Sequence, residues 1–188
     1  MPVAPIIYVR HAMAIPTESV HPTAWHLDDR GRDDAQRLAD RLEVAPGIGT
    51  LVTSTEPKAT ETAAAIGARW QAVPIEDDRL REVGRPWIGP GYRAVAHRYL
   101  RGELPEDWEA HREVAARMSD AVSDAVASAA GQPVVVVSHG LALAVHLGDR
   151  LGDGFDRQSF WSGLAFPDAW VLDASGMLHR SSASADAP

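Results

Sequence analysis

Cysteine is absent from all 188 residues, which excludes disulfides, thiolate nucleophiles and zinc–cysteine sites. The same absence fits a reducing cytoplasm, the compartment expected for this chain. Long apolar runs are missing too: none approaches the ~18 residues that span a bilayer. The start, Met1-Pro2-Val3-Ala4-Pro5, lacks the basic stretch of a secretory leader, and no membrane association is expected. Positive charge is scarce. With 18 Lys+Arg against 26 Asp+Glu the formal net charge is −8, so no global field attracts nucleic acid or an anionic surface. A phosphorylated ligand would have to meet positive charge concentrated at one place. The acidic pairs Asp28-Asp29 and Asp77-Asp78 lack a compact ligand pattern, so no metal and no other cofactor is expected.

What is present reads as one domain with a substantial core, 45% of the residues being hydrophobic. Ile6–Val9 and Val134–Val137 are short, continuous and β-branched, as in strands covered on both faces. Thr50–Thr53 and Val73–Glu76 are weaker strand candidates. Ala35, Leu38, Ala39 and Leu42 repeat at helical spacing. Pro57 suits the first position of a helix running to Trp70. A longer helix is expected from Asp107 to Ala130, striped by Ala115, Met118, Val122, Ala125 and Ala129 and ended by Gly131 and Pro133. Leu141–Leu151 follows as another. Trp170–Leu172 and Met177–His179 flank Asp173-Ala174-Ser175-Gly176 as a β-hairpin. Alternating strands and helices predict an α/β sandwich with a mainly parallel sheet.

Residues 81–106 carry Gly84, Pro86, Gly89, Pro90, Gly91, Gly102 and Pro105. This is loop chemistry, expected to form a rim over a site. Residues 181–188 are small and polar and read as a flexible tail, leaving 1–180 as the domain. Trp25, Trp87, Trp108, Trp161 and Trp170 are read as core or rim rather than a substrate stack, and His146 as packing. Phe155–Phe166 is either an interface or the edge of the core.

The chemistry gathers at two strand ends. Arg10-His11 closes the first apolar run and Ser138-His139-Gly140 closes the later one, with a helix behind it. Histidines at the carboxyl ends of two parallel strands can meet in the crevice where open α/β sheets bind ligands. Histidine is a nucleophile and proton carrier at neutral pH, and arginine is a phosphate clamp.

Five stretches then occur in order: Val9-Arg10-His11-Ala12; Leu27-Asp28-Asp29-Arg30-Gly31-Arg32-Asp33-Asp34-Ala35; Ser54-Thr55-Glu56-Pro57-Lys58-Ala59-Thr60-Glu61-Thr62-Ala63; Leu80-Arg81-Glu82; and Ser138-His139-Gly140. Together they resemble the histidine phosphatase superfamily, also called phosphoglycerate mutase-like, in its short phosphatase branch. The resemblance implies a three-layer αβα sandwich and a metal-independent phosphomonoesterase working through a phosphohistidine. It makes His11 the nucleophile and Glu82 the proton donor to the leaving alcohol. Arg10, His139 and Lys58 would hold the phosphate, Lys58 standing where the family has a second arginine, and the helix after Gly140 would add backbone donors. Lysine carries the charge without the bidentate fork. His21 and His26, in the loop after the first motif, are candidate substrate contacts. The substrate is expected to be a phosphorylated small molecule or phosphoprotein, with oligomeric state open. Two alternatives stand: mutase-type phosphoryl transfer, and a non-catalytic phosphate-binding module.

Overall fold

The computed structural model describes residues 4–17 and 19–184. Its elements run β1 (Ile6–Arg10), α1 (Asp29–Arg41), β2 (Thr50–Thr53), α2 (Pro57–Trp70), β3 (Ile75–Glu76), α3 (Tyr92–Leu100) and α4 (His111–Ser128). They continue with β4 (Val134–Ser138), α5 (Gly140–Leu151), α6 (Arg157–Gly163), β5 (Asp168–Leu172) and β6 (Leu178–Arg180). The two β-branched runs become the central strands. They lie parallel, Ile6 opposite Val134 through Arg10 opposite Ser138. The sheet order is β3-β2-β4-β1-β5-β6; β2 pairs parallel with both β3 and β4, whereas β5 and β6 add antiparallel.

Alternation along the strands sorts the core into two layers. Tyr8, Val134 and Val136 face one way, into a cluster with Met118, Val122, Leu143 and Leu147 of α4 and α5. Ile7, Val9, Val135 and Val137 face the other way, against Leu38 of α1 and Ala63 and Ile66 of α2. Both faces are covered, which is why the runs are apolar at every position rather than at alternate ones. The expected α/β sandwich with a mainly parallel sheet is the fold observed.

Several boundaries are corrected. Residues 81–106 are not loop throughout: α3 occupies Tyr92–Leu100, burying Ala96, Tyr99 and Leu100 at i, i+3 and i+4 spacing. Gly89 and Gly91 before it have φ of +59° and +97° and supply the turn that starts it. The long helix begins at His111 rather than Asp107, because Asp107 has φ of +61° in the preceding turn. The third strand shortens to Ile75–Glu76. Phe160, Trp161 and Leu164 are buried, so Phe155–Phe166 contributes to the core, through the short helix α6 capped by Asp156. Residues 181–184 are docked and not tail-like: the Ser181 amide donates to Ala169 O (2.8 Å), Ser184 bonds the same residue, and Ala183 is buried. Residues 185–188 of that expected tail lie outside the described residues.

Candidate active site

Because β2, β4 and β1 are adjacent and parallel, their carboxyl ends release Ser54, His139 and His11 side by side. The ladder extends one step past each strand, with His11 N donating to Ser138 O and Ser54 N to Val137 O, both 3.0 Å. His11 and His139 bring their ring centroids to 5.0 Å. Burial, reinforced by the charges of Lys58 and Arg10, holds the His11 imidazole well below its ordinary value of 6.5. His11 Nδ1 lies 2.6 Å from Ala12 O. A carbonyl can only accept, so Nδ1 carries the proton and Nε2 keeps its lone pair. The next residue is anchored as well: Ala12 N donates to Thr62 Oγ1 (3.0 Å), and that hydroxyl donates to Lys58 O (2.7 Å). This pins the His11 loop to the first turns of α2.

Arg10 lies across the Phe166 ring, 3.3 Å from its centroid, and donates to Leu164 O (2.9 Å). Burial lowers it to about 10, which leaves it cationic at neutral pH. Its Nε is buried without a partner among the described residues. Gly140 permits this approach; a Cβ there would sit 3.3 Å from that Nε and 3.1 Å from the Trp161 ring.

Lys58 is the only lysine of the chain, the other basic residues all being arginine. It is buried, donates to Pro22 O (2.7 Å), and forms a tight ion pair with Glu56. Glu56 is the residue that sequence reasoning missed. Its other oxygen accepts from Glu82 N (2.8 Å) and stands 3.5 Å from His139 Nε2. Burial pushes its carboxyl above 4.5, against the pull of Lys58. The available signal was a carboxylate two residues from the candidate clamp, ahead of a proline that starts a helix.

Glu82 is half-buried, its carboxylate accepting from Val83 N and Ala142 N (2.9 Å each) and Leu141 N (3.3 Å). The first amides of α5 therefore bind this carboxylate, which corrects the expectation that they face a ligand. Ser138 Oγ ties β4 to Leu80 O at 2.8 Å. Arg117, also missed, donates to Arg79 O (2.6 Å), Arg81 O (2.8 Å) and Glu82 O (3.2 Å) while pairing Glu109 at 2.7 Å. These bonds fix the backbone that presents Glu82.

His139 is fully buried behind His11 and has no surface in the cavity; its Nε2 bonds Ser54 Oγ at 2.8 Å. Burial, then the neighbouring His11 and Lys58, keep it well below 6.5. His21 lines the cavity and bonds Thr23. His26 does not; it is exposed and pairs with Glu61 at 2.5 Å. Arg10, His11, Lys58 and Glu82 thus share one cavity of about 550 Å3. An uncharged imidazole nitrogen, the buried Lys58, the part-buried Arg10 and a carboxyl group converge there. Such a set can accept a phosphoryl group and deliver a proton.

Comparison with known proteins agrees with this geometry. The family model described as histidine phosphatase superfamily (branch 1) matches residues 6–164. The uncharacterised protein Rv0525 of Mycobacterium tuberculosis is 35% identical over 127 residues, 62% of this chain and 62% of that protein. The chain thus aligns with about three-fifths of that relative's length. The solved native structure of mycobacterial glucosyl-3-phosphoglycerate phosphatase is 22% identical, covering 94% of this chain and 96% of that one, at a TM-score of 0.71. Bacillus stearothermophilus YhfR is 23% identical over 98% of both chains at 0.69. Among the described residues no helix is long and apolar enough to cross a membrane.

Proposed function

The chain belongs to the histidine phosphatase superfamily, branch 1, and from that premise we propose that it hydrolyses phosphomonoesters through a phosphohistidine on His11. The observation that carries this reading is the His11 tautomer: Nδ1 is committed to Ala12 O, so Nε2 is the nucleophilic nitrogen. In the first half-reaction the Nε2 lone pair attacks phosphorus. The ester P–O bond breaks, and the leaving oxygen takes a proton from Glu82. In the second, water attacks the phosphohistidine and gives its proton to the Glu82 carboxylate. The N–P bond then breaks, phosphate leaves and His11 is neutral again.

Arg10 and Lys58 stabilise the charge that spreads over the phosphoryl oxygens. His139 backs the His11 ring and, with Ser54, sets its position. Those two cations are in place to carry the charge without a metal. The substrate is a phosphorylated small molecule or a phosphorylated protein side chain.

The deciding experiment follows p-nitrophenyl phosphate turnover with and without a chelator, for the parent and for His11→Ala. Chelator-resistant turnover that disappears in His11→Ala is expected, with acid-labile phosphate trapped on the parent. Substantial residual turnover in His11→Ala would remove the nucleophile from this account. Interconversion of 2- and 3-phosphoglycerate without net phosphate release would replace hydrolysis with mutase chemistry.

A further inference from the structure

The cavity is much larger than a phosphate requires. Its volume of about 550 Å3 falls in the range that encloses a whole small organic ligand, roughly 300–1,000 Å3. Arg10, His11, Lys58 and Glu82 make up the polar machinery of its lining. The remaining lining includes the aromatic side chains of Trp25, Trp87 and Tyr92. Trp25 and Trp87 meet edge to face with centroids 5.2 Å apart, and Trp87 continues to Tyr92 at 6.1 Å. Trp87 is 41% exposed and Met13 45%, so two large apolar side chains stand open at this wall. Trp25 is held in place by its Nε1 bond to Val20 O, 3.0 Å. A cluster of open aromatic edges beside a polar centre marks a binding surface rather than core. Trp108 and Trp161 are core, as expected, whereas Trp25 and Trp87 stand at the rim of the cavity.

Of the arginines lining the cavity beside that wall, Arg81 is paired within the protein and Arg85 is not. Arg81 is already shared between Asp78 (3.4 Å) and Glu109 (3.3 Å). Asp78 itself lines the wall. Arg85 is the cation there with no carboxylate within 4.0 Å among the described residues, and its guanidinium is laid 4.1 Å from the Tyr92 ring centroid. In that pose it extends the flat wall.

We infer that the alcohol released by this enzyme bears a flat aromatic ring system, which stacks against Trp25 and Trp87 while its phosphate meets His11. The inference rests on the phosphatase reading and adds the substrate class to it. Phosphoglycerates, with a carboxylate beside the ester, and small aliphatic or sugar phosphates leave this wall unused.

The test compares primary-alcohol esters of matched leaving ability: 2-(2-naphthyl)ethyl phosphate, glycerol 1-phosphate, glucose 6-phosphate and 3-phosphoglycerate. The naphthyl ester should show kcat/KM about 10- to 100-fold above the others, carried by KM, which is the range of one aromatic stack. Trp87→Ala should remove most of that advantage while changing glycerol 1-phosphate turnover far less, whereas Trp87→Phe should retain the advantage. Trp87 is exposed, and thermal melting confirms the fold of each variant. Equal or better turnover of the non-aromatic esters, or a preference untouched by Trp87→Ala, would overturn the inference. A preference for 3-phosphoglycerate that Arg85→Gln abolishes would assign the same wall to a carboxylate and overturn it as well. Failure of the folded parent to hydrolyse every ester, p-nitrophenyl phosphate included, is a different result; it rejects the phosphatase reading itself and the substrate class with it.

Discussion

Lys58 stands alone as a lysine in a chain that otherwise uses arginine throughout, and its surroundings explain the exception. The ammonium fits as a point charge between Pro22 O and the Glu56 carboxylate, both reached from one nitrogen. A planar fork has no second carboxylate oxygen to match there, since the other Glu56 oxygen is taken by Glu82 N. Glu56 thus supplies the fixed direction that lysine lacks. Its value depends on the partner, because an unpaired buried carboxylate would repel a bound phosphate. Lys58→Met is therefore expected to cost about 3–5 kcal/mol of stability by stranding Glu56. Adding Glu56→Gln to Lys58→Met should recover much of that loss and tighten inhibition by inorganic phosphate. Urea midpoints and phosphate inhibition constants on the single and double variants read both effects; additive losses would show that the two side chains act independently. None of this was legible in the sequence. The motif located Lys58, but only the fold reveals that its neighbour two residues earlier turns back to meet it.

At the level of elements, the strands were readable and the short helices were not. A continuous β-branched run such as Val134–Val137 has one physical home, a strand covered on both faces. The nine-residue α3 was hidden because Gly89, Pro90, Gly91, Gly102 and Pro105 crowd its ends. They mark its borders, yet along the chain they look like loop throughout. Site positions at strand ends were legible for the same reason: His11 and His139 follow from where the runs stop. The placement of Glu82 was not, because it depends on a side chain 35 residues away. Arg117 on α4 donates to the carbonyls of Arg79, Arg81 and Glu82 while paired with Glu109. Replacing it frees three carbonyls and leaves the mostly buried Glu109 carboxylate with only Arg81 and the Gly84 amide. Arg117→Met should thus cost about 3–5 kcal/mol in chemical denaturation. Among molecules still folded, kcat should fall more than KM rises, since Glu82 is displaced while the phosphate cations stay. A loss confined to KM would place Arg117 outside the presentation of Glu82.

For the molecule as a whole, charge and burial make opposite demands on pH. With a net charge of −8 at pH 7 and a pI near 5.4, mild acid relieves self-repulsion and by itself favours the folded state. The buried histidines act the other way. His146, bonded to Tyr8 Oη at 3.1 Å, is lowered to about 4 by burial and then by Arg150. His11 and His139 are displaced in the same direction, by burial first. Each folded value lies below the unfolded value near 6.5, so between them the unfolded chain binds more protons. Their contribution is complete above pH 6.5 and drains away as pH falls below it, for His146 down to about 4. For His146 the full shift corresponds to about 3 kcal/mol. The His146 shift, with His11 and His139 acting in the same direction, outweighs the relief of diffuse surface charge, most of which is screened at ordinary salt. Stability should therefore peak near neutrality and fall by several kcal/mol on the way to pH 4.5, passing the pI without a maximum. Urea midpoints at pH 7.5, 6.0 and 4.5 measure this. His146→Gln keeps a side chain able to bond Tyr8 but cannot titrate, so its curve should flatten over the same interval. A maximum at the pI, or an unchanged slope in His146→Gln, would return the pH response to surface charge.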